Sequence, residues 1–173
     1  MNQDERNEKI EEYGRGFDLL TAVLAEVPQE AWEFKPTADE WNIHEIVVHM
    51  KDSESMGVIR LHKLIAEPGS TLMAYEESKW AEALNYQNQD VEDALQILKL
   101  TRRTTYRLLK TLPDQVFMQS VVHPEVVHPE YGESYTLEKW LNIYAHHIPE
   151  HIEQLKKTYQ AWEEQKKRSD LLP

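Results

Sequence analysis

Cysteine is absent from all 173 residues. Disulfides, thiolate metal ligands and a cysteine nucleophile are therefore excluded, and a reducing, cytoplasmic location is expected. Glycine is scarce, with five in the chain, against eight prolines. The long stretches between prolines are rich in Leu, Glu, Lys, Ala and Gln, which favours helix. No run approaches the roughly 20 apolar residues of a membrane span. The opening MNQDERNEKIEEYG is charged throughout and is expected to be neither a signal peptide nor an anchor. Basic residues number 19 against 31 acidic, a net charge of −12. That field repels phosphate backbones, so neither nucleic acid nor membrane is an expected partner. Ser-His-Asp spacings, glycine-rich phosphate loops and nucleotide motifs are missing as well.

What remains is a chain of ordinary globular composition, 40% hydrophobic and 29% charged, and a single helical domain over 1–173 is expected. Four amphipathic segments carry the helical period. The first, about 5–27, places Ile10, Tyr13, Phe17, Leu20 and Leu24 on one face and meets Pro28. The second, about 42–66, opens on Trp41-Asn42-Ile43-His44-Glu45-Ile46. There Asn42 and Glu45 form a capping box, and Trp41 and Ile46 take the two positions of a hydrophobic staple. The third, about 90–112, carries Leu95, Leu98, Leu108 and Leu112 and stops before Pro113. The fourth, about 136–167, starts at Thr136 as N-cap and contains Pro149, which is expected to bend it without ending it. Residues 70–88 have no clear period beyond a turn of helix near Glu76 to Leu84. Val121-Val122-His123-Pro124-Glu125 is repeated at once as Val126-Val127-His128-Pro129-Glu130. Two copies are too few for a solenoid and read as short extended pieces in a loop.

Eight histidines occur, and three of them, His146, His147 and His151, crowd the fourth segment. At about 100° per residue, His147 and His151 border the Trp140, Tyr144, Ile148, Leu155 stripe one turn apart, and His146 faces the opposite side. An i, i+4 histidine pair offers two imidazoles along one helix face, a metal-chelating geometry. A third ligand from a facing helix would complete a bundle site. Periodicity does not choose His49 over His44, His62 or His123 for that place, although His49 flanks the Ile46, Met50, Leu64 stripe beside Ser53. On the same count Asp52 faces solvent.

The run Asp39-Glu40-Trp41-Asn42-Ile43-His44-Glu45-Ile46-Val47-Val48-His49 resembles the second helix of the DinB/YfiT-like family of metal-dependent enzymes. The run from Thr136-Leu137-Glu138-Lys139-Trp140 through His147-Ile148-Pro149-Glu150-His151-Ile152-Glu153-Gln154-Leu155 resembles that family's last helix, with its HxxxHxxQ[IL] pattern. Pro149, lying between the two histidines, and the doubled VVHPE loop depart from the family pattern. The resemblance implies an all-α, up-down-down-up four-helix bundle, often dimeric, with His49, His147 and His151 holding one divalent ion.

Three imidazoles suit zinc or nickel, and also iron or manganese. They leave a coordination position open, the arrangement of a reactive site. The resemblance implies activation of a water or a low-molecular-weight thiol, hence a hydrolase or a thiol-dependent S-transferase acting on a small molecule. The alternative is a stress-associated bundle that binds a metal or small ligand without turnover. Glu45, Asp52, Glu150 and Glu153 are the carboxylates within sequence reach of the ligands. No catalytic residue is assigned.

Overall fold

The computed structural model describes residues 1–124 and 134–171. Four long helices dominate them: α1 (Gln3–Leu24), α2 (Ile43–Ala66), α4 (Val91–Leu109) and α5 (Leu137–Asp170), with a short α3 (Glu77–Ala83) between the second and third. Two three-residue strands, β1 (Ser120–Val122) and β2 (Ser134–Thr136), pair antiparallel as Ser120 with Thr136 and Val122 with Ser134. The first VVHPE copy thus begins in a strand, and the second, Val126 to Glu130, lies outside the described residues. No helix is long and apolar enough to cross a membrane among the described residues.

Side-chain contacts give the helix directions. Met1 meets Glu138 and Tyr13 meets Trp140, so α1 and α5 run parallel. Asn42 bonds Gln87 just ahead of α4, and Glu54 pairs with Arg102, so α2 and α4 are also parallel. Gly57 lies against Trp140 while Glu54 meets His147, which sets α2 antiparallel to α5. The result is the expected up-down-down-up bundle, in which consecutive long helices α1 and α2 lie diagonally.

Local signals account for the helix ends. Asn42 accepts from the Glu45 backbone N–H while the Glu45 carboxylate accepts from the Asn42 N–H, the expected capping box. Asn2 and Glu5 form a second box that the sequence reading did not include. Thr136 caps α5 through the Lys139 N–H. Helix α1 ends three residues before the expected boundary because Val27 precedes Pro28 and is pushed out of helical geometry. The last N–H groups tighten instead, with Glu26 bonding Val23 and Val27 bonding Leu24. Likewise α4 ends at Leu109, and Thr111 and Leu112 bond back three residues ahead of Pro113. Helix α5 passes through Pro149 as one element, as expected.

The core falls into two apolar clusters, one around Leu20, Ile46, Met50, Leu98, Ile148 and Leu155, the other around Tyr13, Leu61, Leu64, Trp140 and Tyr144. Phe17 and Leu108, expected inside, are only partly buried at the margins. Between the clusters lies a polar layer with one residue from each long helix: Tyr13, Glu54, Arg102 and His147. Gly57 permits the close approach of α2 and α5, because a Cβ there would lie 2.5 Å from the Tyr144 ring.

Candidate metal centre

His49, His147 and His151 come together in the layer between the two core clusters, each placing one ring nitrogen within 4.8 Å of the others. It is the one such cluster of three or more His, Asp or Glu among the described residues. Helix α5 supplies two rings one turn apart. Helix α2 supplies the third, whose centroid is 4.9 Å from that of His151 and 5.9 Å from that of His147. The remaining histidines stand elsewhere. His44 bonds the Gln89 carbonyl, His146 is exposed beside Lys9 and the Asn142 carbonyl, and His123 packs on Tyr135. His62 is exposed, and His128 lies outside the described residues.

Hydrogen bonds fix two of the three tautomers. His147 Nδ1 is 3.1 Å from Glu54 Oε1, an acceptor, so Nδ1 carries a hydrogen, which in the neutral ring leaves a lone pair on Nε2. His151 Nδ1 is 2.9 Å from Gln154 Oε1, with the same consequence. The two Nε2 atoms then face each other across 3.2 Å, lone pair to lone pair. Two acceptors at that distance repel unless an electrophile lies between them. Bonds of 2.0–2.1 Å at a tetrahedral angle place two ligand nitrogens about 3.3 Å apart, which matches this separation. His49 Nδ1 is buried and has no hydrogen-bond partner among the described residues. Its plane is held by Trp41, centroid to centroid 4.7 Å.

Burial holds His49 and His151 neutral, the form that ligates. It lowers the pKa of His49 to about 3, helped by the charges of His151 and His147. His151 is lowered to about 4 by burial and His147, with Gln154 and Glu54 opposing. Burial alone would raise Glu54, but Arg102, His147 and Tyr13 outweigh it and hold the carboxylate below its ordinary value.

Glu54 is the residue that sequence reasoning missed. It accepts from His147, from Arg102 and, at 3.1 Å, from the Tyr13 hydroxyl, and it is 1% exposed. Its signal was available, since 46, 50, 54, 57 and 61 share one helical face and a carboxylate on an apolar stripe requires partners. The carboxylates named from sequence do other work. Glu45 caps α2 and pairs with Lys35, Glu153 pairs with Lys156, and Glu150 is exposed. Asp52 corrects the exposed reading: it is bound to Lys51 and its Oδ2 is buried, because residues 75–86, α3 among them, fold over that side of α2. From the same side Glu77 of α3 brings Oε2 to 3.9 Å from His49 Nε2, while its side chain stays 55% exposed.

Residues 12–155 match the DinB superfamily. The chain belongs to that superfamily. Relatives bearing the name "Putative metal-dependent hydrolase" include YfiT of Bacillus subtilis, 30% identical over 65% of this chain and 60% of YfiT. Others are OB0782 of Oceanobacillus iheyensis, 26% identical over 78% of this chain and 74% of that protein, and BH0277 of Halalkalibacterium halodurans, 29% identical over 66% and 63%. The match thus spans about 60% of the length of YfiT and BH0277. The solved structure of Bacillus subtilis YfiT, described as a four-helix bundle of unusual topology, superposes with a TM-score of 0.81 at 22% identity, covering 92% of this chain and 89% of YfiT. This DinB member therefore shares the bundle of YfiT.

Proposed function

We propose that this DinB chain is a metal-dependent enzyme of hydrolase type, with one divalent ion held by His49, His147 and His151. The facing Nε2 lone pairs of His147 and His151, each fixed by a bond at Nδ1, carry the reading. A divalent ion bound there supplies Lewis acidity toward a water or a thiol. Zinc or nickel fits three borderline imidazole donors.

The chain's own residues do the rest. Glu54 holds the His147 hydrogen on Nδ1 and makes the ring a stronger donor. Gln154 does the same for His151 with a neutral amide. Glu77, close to His49 yet exposed, is placed to accept a proton from an attacking water or thiol, while Trp41 packs against the His49 ring. A small-molecule substrate belongs to the same reading, supported by the hydrolase names of the relatives. The names of the relatives favour water as nucleophile over a low-molecular-weight thiol. A cytoplasmic homodimer completes the reading.

Elemental analysis of protein purified without an affinity tag tests it. One equivalent of metal is expected, lost in His151→Ala and kept in His146→Ala. Ester and amide hydrolysis, run beside a thiol-conjugation screen, then separates the two nucleophiles. Metal retained by His151→Ala and lost by His146→Ala would overturn the ligand set. A fully loaded protein inert in both screens would leave a metal-binding module.

A further inference from the structure

Helix α4 turns Ala94, Leu98, Arg102, Thr105 and Leu109 into the bundle. On its other side Asp93, Ile97, Leu100, Thr104 and Arg107 are all exposed, at successive spacings of four, three, four and three. That alternation is the spacing of a heptad seam, which keeps one stripe of a helix turned toward a second helix. At about 100° per residue the five lie within roughly 80° of one another. Ile97 and Leu100 form the middle of the stripe, 45% and 49% exposed. A single aliphatic on a surface is ordinary, whereas two at adjacent seam positions make a patch.

Charge is sorted along the same side of the helix. Glu92 and Asp93 lie toward its N-terminus, Arg103 and Arg107 toward its C-terminus, and all four are exposed. Within the chain Glu92 accepts from the neutral amide of Gln96. The helix macrodipole accounts for the acids in the first turn and for Arg107 in the last. It accounts neither for Arg103, which precedes the last turn, nor for two aliphatics in water between the charged ends.

An order of acid, aliphatic and base along one helix is complementary to the same order read backwards. A two-fold axis between Leu98 and Lys99 lays α4 of a second copy antiparallel on this one, with Ile97 against Leu100 of the second copy. In that register Asp93 comes within one turn of Arg107 of the second copy, and Glu92 within one turn of its Arg103. The axis repeats every contact, so the interface is isologous and closes at two copies. A parallel alignment would set acid against acid and base against base.

We propose that the exposed side of α4 docks antiparallel on α4 of a second copy of this chain. The inference rests on the homodimer reading, to which it gives a surface, and is independent of the metal ion. The seam from Asp93 to Arg107 is about 21 Å long. A contact of that length and one helix wide falls below the roughly 1,200 Å² at the low end of stable interfaces. The dimer should therefore form in the micromolar range and weaken with salt, because its charges meet at an exposed rim.

Sedimentation velocity of the full-length chain, run across micromolar concentrations at low and high salt, tests the interface. A reversible monomer–dimer equilibrium is expected. Leu100→Lys, Arg107→Glu and Asp93→Arg should each weaken it by about tenfold or more, since each buries a charge or opposes like charges. Asp93→Arg combined with Arg107→Glu should restore most of the dimer, because each reversed charge meets its opposite again. Helical dichroism identifies any variant that has unfolded.

The chain has no cysteine, so single replacements report the geometry. Leu100→Cys should be joined to its copy by a short bis-maleimide, as the two positions lie about 4.5 Å apart along the axis. Asp93→Cys should not be joined, its copies being about 17 Å apart. Cross-linking at Asp93→Cys overturns the antiparallel order. A dimer that survives both Leu100→Lys and Arg107→Glu overturns the α4 assignment and leaves the homodimer standing on another surface. A monomer at every concentration and at low salt overturns both.

Discussion

Glu54→Gln removes one charge from the polar layer while keeping its shape, and two separate losses are expected. Arg102, 1% exposed, would face an amide in place of its counter-ion. Breaking one side of a buried ion pair costs about 3–5 kcal/mol. The carbonyls of Tyr13 and Tyr144 still accept from the guanidinium, which places the loss near the lower end, about 3 kcal/mol. With a urea dependence of about 2–3 kcal/mol/M, the midpoint of the metal-free protein should fall by roughly 1–1.5 M. The second loss is at His147, where a neutral amide replaces the carboxylate behind Nδ1. Metal affinity should drop about 10- to 100-fold, read by competition with a chromophoric chelator. Replacing the pair together, as Glu54→Leu with Arg102→Met, should restore most of the stability and none of the affinity. A Glu54→Gln protein with an unchanged urea midpoint would refute the view that Glu54 balances a buried charge. Unchanged affinity would refute its role behind His147.

The metal-free protein should lose stability as the pH falls. His49 and His151 have folded pKa values of about 3 and 4, below the 6.5 of an unfolded histidine. The unfolded chain therefore binds protons that the folded one refuses. Stability is fully present above pH 6.5 and declines toward pH 4, by about 2 kcal/mol per histidine at pH 5. Urea midpoints across that range check it, and a flat profile would show that the rings are not held neutral. Gly57→Ala should destabilise the bundle by about 1–3 kcal/mol, because its methyl group meets the Tyr144 ring, and thermal melts would show this. Asn42→Ala should cost about 0.5–2 kcal/mol by opening the α2 capping box, with the effect absent in metal titrations.

Much of the bundle could be read from residue spacing, because apolar stripes such as Trp140, Tyr144, Ile148 and Leu155 have one stable outcome: burial against other helices. Helix starts were legible for the same local reason, as Asn42 and Thr136 show. Helix ends were less so. The residue before Pro28 and the stretch ahead of Pro113 unwind through short-range geometry, which a stripe running to Val27 or Leu112 does not reveal. At the site, the pairing of His147 with His151 followed from one helix, whereas the choice of His49 depended on how two helices face each other and entered only through family resemblance. Asp52 was expected to face solvent, and Glu54, which the sequence reading gave no part, stands behind His147. Two residues apart they face about 160° from each other, and the folding of 75–86 over α2 buried the side that a solitary helix would expose.

The polar layer also bears on how the ion arrives. In many small metal domains the ion balances the ligands' surroundings, so the fold waits for it. Here Arg102 already offsets Glu54, and His49 and His151 are neutral by burial, so those groups strand no excess charge before loading. On the proposed ligand set, the metal-free bundle is a standing receptor. Capture is then a bimolecular encounter with a finished chelate, and release returns the same finished chelate. Exchange of one ion for another can follow a changing supply within the lifetime of a single folded molecule, with no passage through the unfolded chain.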